Sequence, residues 1–283
     1  MPEPIGIIAG GGRLPVAIAE GMRAAGREVC VIGLRGHYSA EIVEASDRFA
    51  SAGTMRVGSW IRLCRRFGVK EAVLVGRVNK ARMHDRLRFI KNFPDLRTMN
   101  IWYRRLRHDR RSATLLRAVA ENLASGGVTL IDSTTYIPDH LATEGVLTST
   151  APTQMQQGDV KLGWPILVET ANLQIGQAIS VRDRDVIAVE AVEGTDRLIQ
   201  RTGELCPRRG WTLLKTASKD HDMRTDVPTI GVKTIELLKE HGAGCLAVGA
   251  GRVILLDKAQ VIEAAERAGI AIIGIGSDGM ASG

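Results

Sequence analysis

The sequence predicts an α/β protein, with an N-terminal doubly wound, Rossmann-like domain joined by a linker to a mixed α+β C-terminal domain. A chain of 283 residues lies near the size at which one hydrophobic core usually becomes two. In the first half, apolar runs alternate with helical patterns, which is typical of a parallel sheet. Near residue 133 this alternation ends. We therefore predict an N-terminal domain over residues 1–133 and a linker with the C-terminal domain over residues 134–283.

The N-terminal domain is predicted to open with a buried strand at residues 5–9 and a loop of three glycines at residues 10–12. A helix is expected to start near Pro15, because proline fits the first turn of a helix. The later elements are a strand at 27–34, a helix and a third strand within 59–76, a helix at 112–127 and a strand at 128–131.

The second half begins with residues 134–159, which are rich in Thr, Pro, Gly and Gln and are predicted to form the linker. Apolar positions then alternate over residues 177–194, which predicts two strands around a polar turn at 182–185. Thr195 or Asp196 is expected to cap the helix that follows. The remaining elements are a strand at 211–217, a helix at 229–241, a hairpin at 245–257, a helix at 258–268 and a closing strand at 270–276.

Composition and cysteine spacing narrow the class of protein. Hydrophobic residues make up 45% and charged residues 24% of the chain, which is ordinary for a folded globular protein. The four cysteines form no C-x-x-C pair, which argues against a structural zinc site and favours a reducing compartment. No basic stretch precedes the apolar run at 5–9, and no run approaches the roughly 18 apolar residues of a membrane span. We expect a cytoplasmic protein that is soluble or lies on a membrane surface.

The positive charge of the chain is concentrated in residues 77–117. This segment has thirteen Lys and Arg against three acids, a net charge of +10, so the rest of the chain sums to −3. Apolar and aromatic side chains are interleaved with the cations. This pattern fits an anionic membrane surface, a nucleic acid or a solvated helical face. No nucleic-acid-binding fold signature accompanies it.

Two glycine-containing loops follow predicted strands. The glycines at 10–12 stand between a strand and a helix, where backbone N–H groups and the helix dipole can hold a phosphate. The dinucleotide pattern G-x-G-x-x-G fails because its third glycine position is Pro15, and Arg35 stands where the ribose-binding acid is expected. A nicotinamide cofactor is therefore disfavoured, which leaves another phosphate ligand or a tight turn. Gly76 and Asn79 either approach a bound group or belong to an ordinary loop.

Acidic residues of the second half form the candidate chemical site. Glu190 and Glu193 flank a predicted strand end. If residues 222–226 are extended, Asp222, Arg224 and Asp226 lie on one side of the chain, because side chains alternate with a period of two. Carboxylates around a guanidinium suit Mg²⁺ and a diphosphate. The alternative is an ion-paired surface turn that caps the next helix.

Four stretches, taken together and in order over both halves, resemble one known family. They are IGIIAGGGRLP, LVGRVNK, AVEAVEGTDRLIQR and DMRTDVPTIGVKTIE. The chain resembles the LpxI-type UDP-2,3-diacylglucosamine pyrophosphatases of lipid A biosynthesis. The resemblance implies Mg²⁺-dependent hydrolysis of UDP-2,3-diacylglucosamine to 2,3-diacylglucosamine 1-phosphate (lipid X) and UMP, by two domains that close on the lipid. It also implies that an aspartate of the R-x-D-x-P stretch, here Asp226, is important for turnover.

The sequence departs from the family just before this stretch. The family usually has Lys-Pro-x-Gln before the aspartate, whereas residues 218–221 here read SKDH, so no role is assigned to Lys219 or His221. The residues predicted for catalysis are Asp226, Asp222 and Arg224, and those predicted to hold Mg²⁺ are Asp222, Asp226 and Glu193. The residues predicted to bind substrate in a cleft between the domains are Gly11, Gly12, Gly76, Asn79, Gln177, Glu190, Gly194, Thr195 and Lys215.

The leading hypothesis is thus a pyrophosphatase that is peripheral on the inner membrane and meets its lipid substrate through the basic segment. It expects no nucleic-acid partner, and the assembly considered is a homodimer. One alternative is a nucleic-acid-binding protein that uses residues 77–117. The other is a nucleotide-sugar transferase.

Overall fold

The computed structural model describes residues 3–78, 94–101, 103, 112–224 and 227–276. The chain divides into two compact units. The first unit runs to Ile137 and includes a short segment that begins at Met223, while the second unit holds the remaining residues from Pro138 onwards. Each unit has its own sheet, which confirms the predicted α/β class with a mixed second half. No helix in the described ranges has the length and apolarity that crossing a bilayer requires.

The first unit is built on a five-stranded parallel sheet with strand order β3-β2-β1-β4-β5. The strands are β1 (Pro4–Ala9), β2 (Glu28–Leu34), β3 (Arg48–Ala52), β4 (Glu71–Val75) and β5 (Thr129–Leu130). The helices are α1 (Leu14–Ala24), α2 (Ala40–Glu44), α3 (Val57–Arg66), α4 (Leu96–Ile101) and α5 (Ser112–Ser125). This strand order confirms the predicted doubly wound sheet, and it places the topological switch point between β1 and β4.

One strand of this sheet differs from the sequence prediction. The strand that ends before Gly76 is the fourth, because β3 was not predicted. Most residues of β3 are only half-buried, and it lies at the edge of the sheet, so it lacks the apolar run that marks β1 and β2. The interior strands are buried on both faces and read as nearly continuous apolar runs, as parallel strands do.

The second unit is built on a six-stranded mixed sheet with strand order β6-β13-β11-β9-β7-β8 and a separate two-stranded sheet of β10 and β12. Its strands are β6 (Gly145–Val146), β7 (Ala178–Arg182), β8 (Asp185–Val189), β9 (Trp211–Lys215), β10 (Thr229–Ile230), β11 (Ala243–Gly249), β12 (Ile254–Leu255) and β13 (Ala271–Ile275). Its helices are α6 (Gln154–Asn172), α7 (Thr195–Leu205), α8 (Val232–Glu240) and α9 (Lys258–Ala268).

Three predictions for this unit are wrong. The segment 245–257 is not a hairpin, because β12 pairs in parallel with β10 instead of turning back on β11. The helix predicted from residue 229 begins at Val232, since the two residues of β10 precede it. The predicted linker contains β6, which pairs with β13, and the start of α6. Thr153 and Gln156 form a capping box at that helix start.

The strand directions of the large sheet bring several chain segments to one edge. Strands β9, β11 and β13 are parallel, while β7 is antiparallel to both β9 and β8. The carboxyl ends of β8, β9, β11 and β13 therefore share an edge with the first residue of β7. Apolar clusters cover both faces of the sheet, and the loops at this edge carry the polar side chains predicted from sequence.

Candidate functional site

Two glycine loops meet at the switch point of the first unit. The loop after β1 contains Gly10 and Gly11, and the loop after β4 contains Gly76 and Arg77. Gly11 and Arg77 exchange two backbone hydrogen bonds, of 2.9 and 2.8 Å. A Cβ atom on Gly76 would lie 2.7 Å from the carbonyl carbon of Gly10, which shows how closely the two backbones approach. The fold thus brings the predicted substrate-binding residues Gly11 and Gly76 together.

The backbone at Gly12 leaves open space in front of α1. Its φ is +100°, a conformation that side chains disfavour, and a Cβ atom there would have nothing within 4 Å. Helix α1 begins two residues later, so its first N–H groups are close to this space. An open surface at a helix N-terminus suits an anion such as a phosphate. Asn79, the other residue predicted for this loop region, lies outside the described residues.

Three residues predicted to bind substrate form a hydrogen-bonded chain at the shared edge of the second unit. The ammonium of Lys215, the last residue of β9, donates to the hydroxyl of Thr195 at 2.6 Å. That hydroxyl donates to Oε1 of Glu190 at 2.7 Å. Lys215 is 5% exposed and Glu190 is 7% exposed. We call these three residues the Lys–Thr–Glu chain.

The surrounding backbone fixes the Lys–Thr–Glu chain. Oε2 of Glu190 accepts a hydrogen bond from the backbone N–H of Gln177 at 3.0 Å. Gly194 is the N-cap of α7 and has a φ of +82°, which glycine adopts without strain. The predicted cap at Thr195 or Asp196 is therefore wrong: Thr195 is the first helical residue, and its hydroxyl serves the Lys–Thr–Glu chain.

Sequence reasoning missed Gly176, which this arrangement requires. A Cβ atom at Gly176 would lie 2.1 Å from the carbonyl oxygen of Glu190. The segments before the start of β7 and after the end of β8 therefore meet here without room for a side chain. A lone glycine directly before a predicted strand was the available signal, because such glycines often mark a close backbone approach.

Glu193, predicted as a metal ligand, already has partners for both carboxylate oxygens. Oε1 accepts from the guanidinium of Arg201 at 2.8 Å, and Oε2 accepts from the backbone N–H of Ala191 at 3.1 Å. Arg201 also donates to the carbonyl of Val189, which ties α7 to the end of β8. A metal ion at Glu193 would have to compete with Arg201.

The acidic stretch that follows β9 is described only in part. Asp222 is exposed and Arg224 is half-buried, whereas Asp226 lies outside the described residues. The Met223 carbonyl accepts hydrogen bonds from both the backbone N–H and the hydroxyl of Ser133, at 3.1 and 3.0 Å, which anchors this stretch in the first unit. Within the ranges that the structure describes, no group of three or more His, Cys, Asp or Glu side chains is placed to hold a metal ion.

Comparison with known proteins covers both units. The LpxI N-terminal domain model matches residues 4–140, and the LpxI C-terminal domain model matches residues 143–273. The chain belongs to the LpxI family. A relative named UDP-2,3-diacylglucosamine pyrophosphatase LpxI, from Caulobacter vibrioides, is 29% identical over 281 residues, which cover 96% of this chain and 97% of the relative.

Membership of the LpxI family decides between the hypotheses that the sequence left open. The relative's name supports the pyrophosphatase, and nothing in the comparisons supports the nucleic-acid-binding protein or the transferase. The boundary between the two LpxI domain models falls between residues 140 and 143, beside the division of the chain at Ile137. The two glycine loops belong to the N-terminal LpxI domain, and the Lys–Thr–Glu chain belongs to the C-terminal one.

Proposed function

We propose that this protein hydrolyses the diphosphate of UDP-2,3-diacylglucosamine and releases 2,3-diacylglucosamine 1-phosphate and UMP. The observation that carries the proposal is the match of both LpxI domain models over nearly the whole chain, together with the name of the Caulobacter relative. Hydrolysis of a diphosphate needs groups that offset phosphate charge and groups that direct a water molecule at phosphorus. The chain offers candidates for both in the residues predicted from sequence.

Lys215 is the strongest described candidate for contacting a phosphate. It is a cation at the carboxyl edge of three parallel strands, held at its ammonium by the Thr195 hydroxyl. Ligands of open α/β sheets bind at this edge. A buried cation acts on an approaching anion in a low dielectric, where electrostatic stabilisation of developing charge is strong. We assign Lys215 to offset the charge of the diphosphate, with Arg224 in the same role.

The glycine loops supply a second surface for an anion. Gly11 and Gly76 let the two loops approach each other, and Gly12 leaves the backbone in front of α1 open to a phosphate or sugar. The open space at Gly12 is the described feature that supports this assignment. Asn79 is included on its position in the sequence alone.

The proposed Mg²⁺ dependence rests on the chemistry of the carboxylates that are available as ligands. Mg²⁺ usually takes one or two carboxylates together with substrate phosphates and keeps several waters. Asp222, with an exposed side chain, fits such a site, and Asp226 is its proposed companion. A cage made only of protein ligands does not fit the described residues. When bound, Mg²⁺ would neutralise diphosphate charge and lower the pKa of a coordinated water. Asp226 is assigned as general base or metal ligand.

Contact with the inner membrane is proposed for the basic segment. Leu96, Met99 and Tyr103 follow one another at helical spacing and are 85%, 46% and 68% exposed. They lie inside the segment 77–117, which carries a net charge of +10. Exposed apolar side chains among cations are typical of proteins that lie on anionic lipid. A homodimer remains a prediction.

The decisive variant is Asp226→Ala, assayed for UMP release from UDP-2,3-diacylglucosamine in Mg²⁺ buffer without an acceptor. Turnover should fall by at least about a hundredfold, as expected when a group that acts in the transition state is removed. Asp220→Ala is the matched control, because Asp220 is an exposed acid of the same stretch with no assigned role. Normal turnover by Asp226→Ala would remove that residue from the reaction. Consumption of the substrate only after an acceptor is added would indicate a transferase.

A further inference from the structure

The chemistry of the three groups fixes which one donates and which one accepts at each hydrogen bond of the Lys–Thr–Glu chain. An ammonium can only donate hydrogen bonds, so the Thr195 oxygen must accept from Lys215. The single proton of the hydroxyl is then directed to Glu190, which accepts it at 2.7 Å. Without Glu190, the hydroxyl would still accept from the ammonium, but its own proton would lose the acceptor that orients it. The carboxylate therefore fixes the orientation in which Thr195 accepts from Lys215.

Glu190 is placed to orient its neighbour and is not exposed to a ligand. One of its oxygens accepts from Thr195 and the other accepts from the Gln177 backbone, while 7% of the residue is exposed. Its backbone is held by the close approach of Gly176. A carboxylate with both oxygens used in this way has a fixed position, and so does the hydroxyl that it accepts from.

We propose that Glu190 and Thr195 are positioning residues, which act on the reaction by holding the Lys215 ammonium, and that they are not ligands of the substrate. The proposal rests on the assignment of Lys215 to the diphosphate. Burying an ammonium is costly, and the carboxylate one hydroxyl away contributes to offsetting that cost. The flexible lysine side chain is thereby kept in one place, which a transition-state contact requires.

A double-mutant cycle between Thr195→Val and Lys215→Met tests this positioning. Valine keeps the shape of threonine and removes the hydroxyl. In the full chain, with UDP-2,3-diacylglucosamine as the substrate, Thr195→Val should lower kcat about ten- to a hundredfold with little change in KM. Lys215→Met should lower kcat at least as much. The double variant should equal Lys215→Met alone, because the hydroxyl acts only through the ammonium.

Conservative variants separate positioning from loss of structure. Thr195→Ser keeps the hydroxyl and should restore most of kcat, while Glu190→Gln keeps the shape of the side chain, removes the charge and should lower kcat as Thr195→Val does. Thr170→Val is the control, because this threonine is also buried and its hydroxyl donates to the backbone carbonyl of Ile166 in its own helix. It should retain the kcat of the unmodified chain.

Three results would overturn the positioning role. A rise in KM at unchanged kcat in Thr195→Val would make Thr195 a substrate ligand. Losses that multiply in the double variant would show that hydroxyl and ammonium act independently. Full activity of Glu190→Gln would remove the carboxylate from the mechanism. These outcomes require an active unmodified chain, whereas an unmodified chain that releases no UMP would refute the proposed function itself.

Discussion

Replacing Gly76 with alanine tests the contact between the two glycine loops of the first unit, and Gly12 provides the matched control. Both glycines have nearly the same φ, +101° at Gly76 and +100° at Gly12. A side chain at this φ costs about 1–3 kcal/mol of backbone strain in either variant. Only at Gly76 does the new Cβ meet another backbone, 2.7 Å from the Gly10 carbonyl carbon, while at Gly12 nothing lies within 4 Å.

Overpacking against backbone that cannot move costs about 1–3 kcal/mol more. Gly76→Ala should therefore lower the free energy of unfolding of the first unit by about 2–6 kcal/mol, and Gly12→Ala by about 1–3 kcal/mol. Hydrogen exchange of the β1 and β4 amides, measured by mass spectrometry, reports this free energy for the first unit alone. Equal losses in the two variants would refute the close approach of Gly10 and Gly76.

Two further predictions concern the second unit. Burial raises the pKa of Asp159 above its ordinary 3.8, against the opposing hydrogen bonds from the Arg184 backbone N–H and the Thr212 hydroxyl. The stabilising contribution of Asp159 is therefore complete below pH 3.8 and is lost as the pH rises through the raised pKa. In urea unfolding, Asp159→Asn should gain stability relative to the unmodified chain over that pH range. A difference in stability that stays constant with pH would contradict this. Thr153→Ala removes the capping box shared with Gln156 and should lower the free energy of unfolding by about 1 kcal/mol in the same assay, whereas no loss would show that the cap is dispensable.

Features that depend on adjacent residues could be predicted from the sequence. The strand, glycine loop and helix at the start of the chain follow from a buried apolar run, three glycines and Pro15, all within one local pattern. Helix α9 was predicted with the bounds that the structure has, because its apolar face repeats with a helical period. The fold class followed from the alternation of such elements.

Features that depend on distant pairing could not be predicted in this way. Strand β12 is two residues long and pairs with β10, so its pattern could not distinguish a hairpin from a parallel pair. Helix α6 was not predicted, because Gly158, Gly163 and Pro165 interrupt its pattern, although the capping-box residues at Thr153 and Gln156 gave a local signal.

The candidate site shows the same division. Lys215, Thr195 and Glu190 could each be selected from sequence as residues near strand or helix ends. Their connection through one hydroxyl depends on the β7–β9 and β7–β8 pairings, which bring residues from three segments to one edge. Local sequence patterns contain no information on which strands pair.

Turnover in water enriched in ¹⁸O tests the central claim, that the chain hydrolyses the diphosphate of UDP-2,3-diacylglucosamine, most directly. The unmodified chain is incubated with this substrate and Mg²⁺, without an acceptor, and the masses of both products are measured by mass spectrometry. Hydrolysis predicts equal amounts of UMP and 2,3-diacylglucosamine 1-phosphate, with one solvent oxygen in one of the two phosphates. Intact substrate, or products without solvent oxygen, would contradict it.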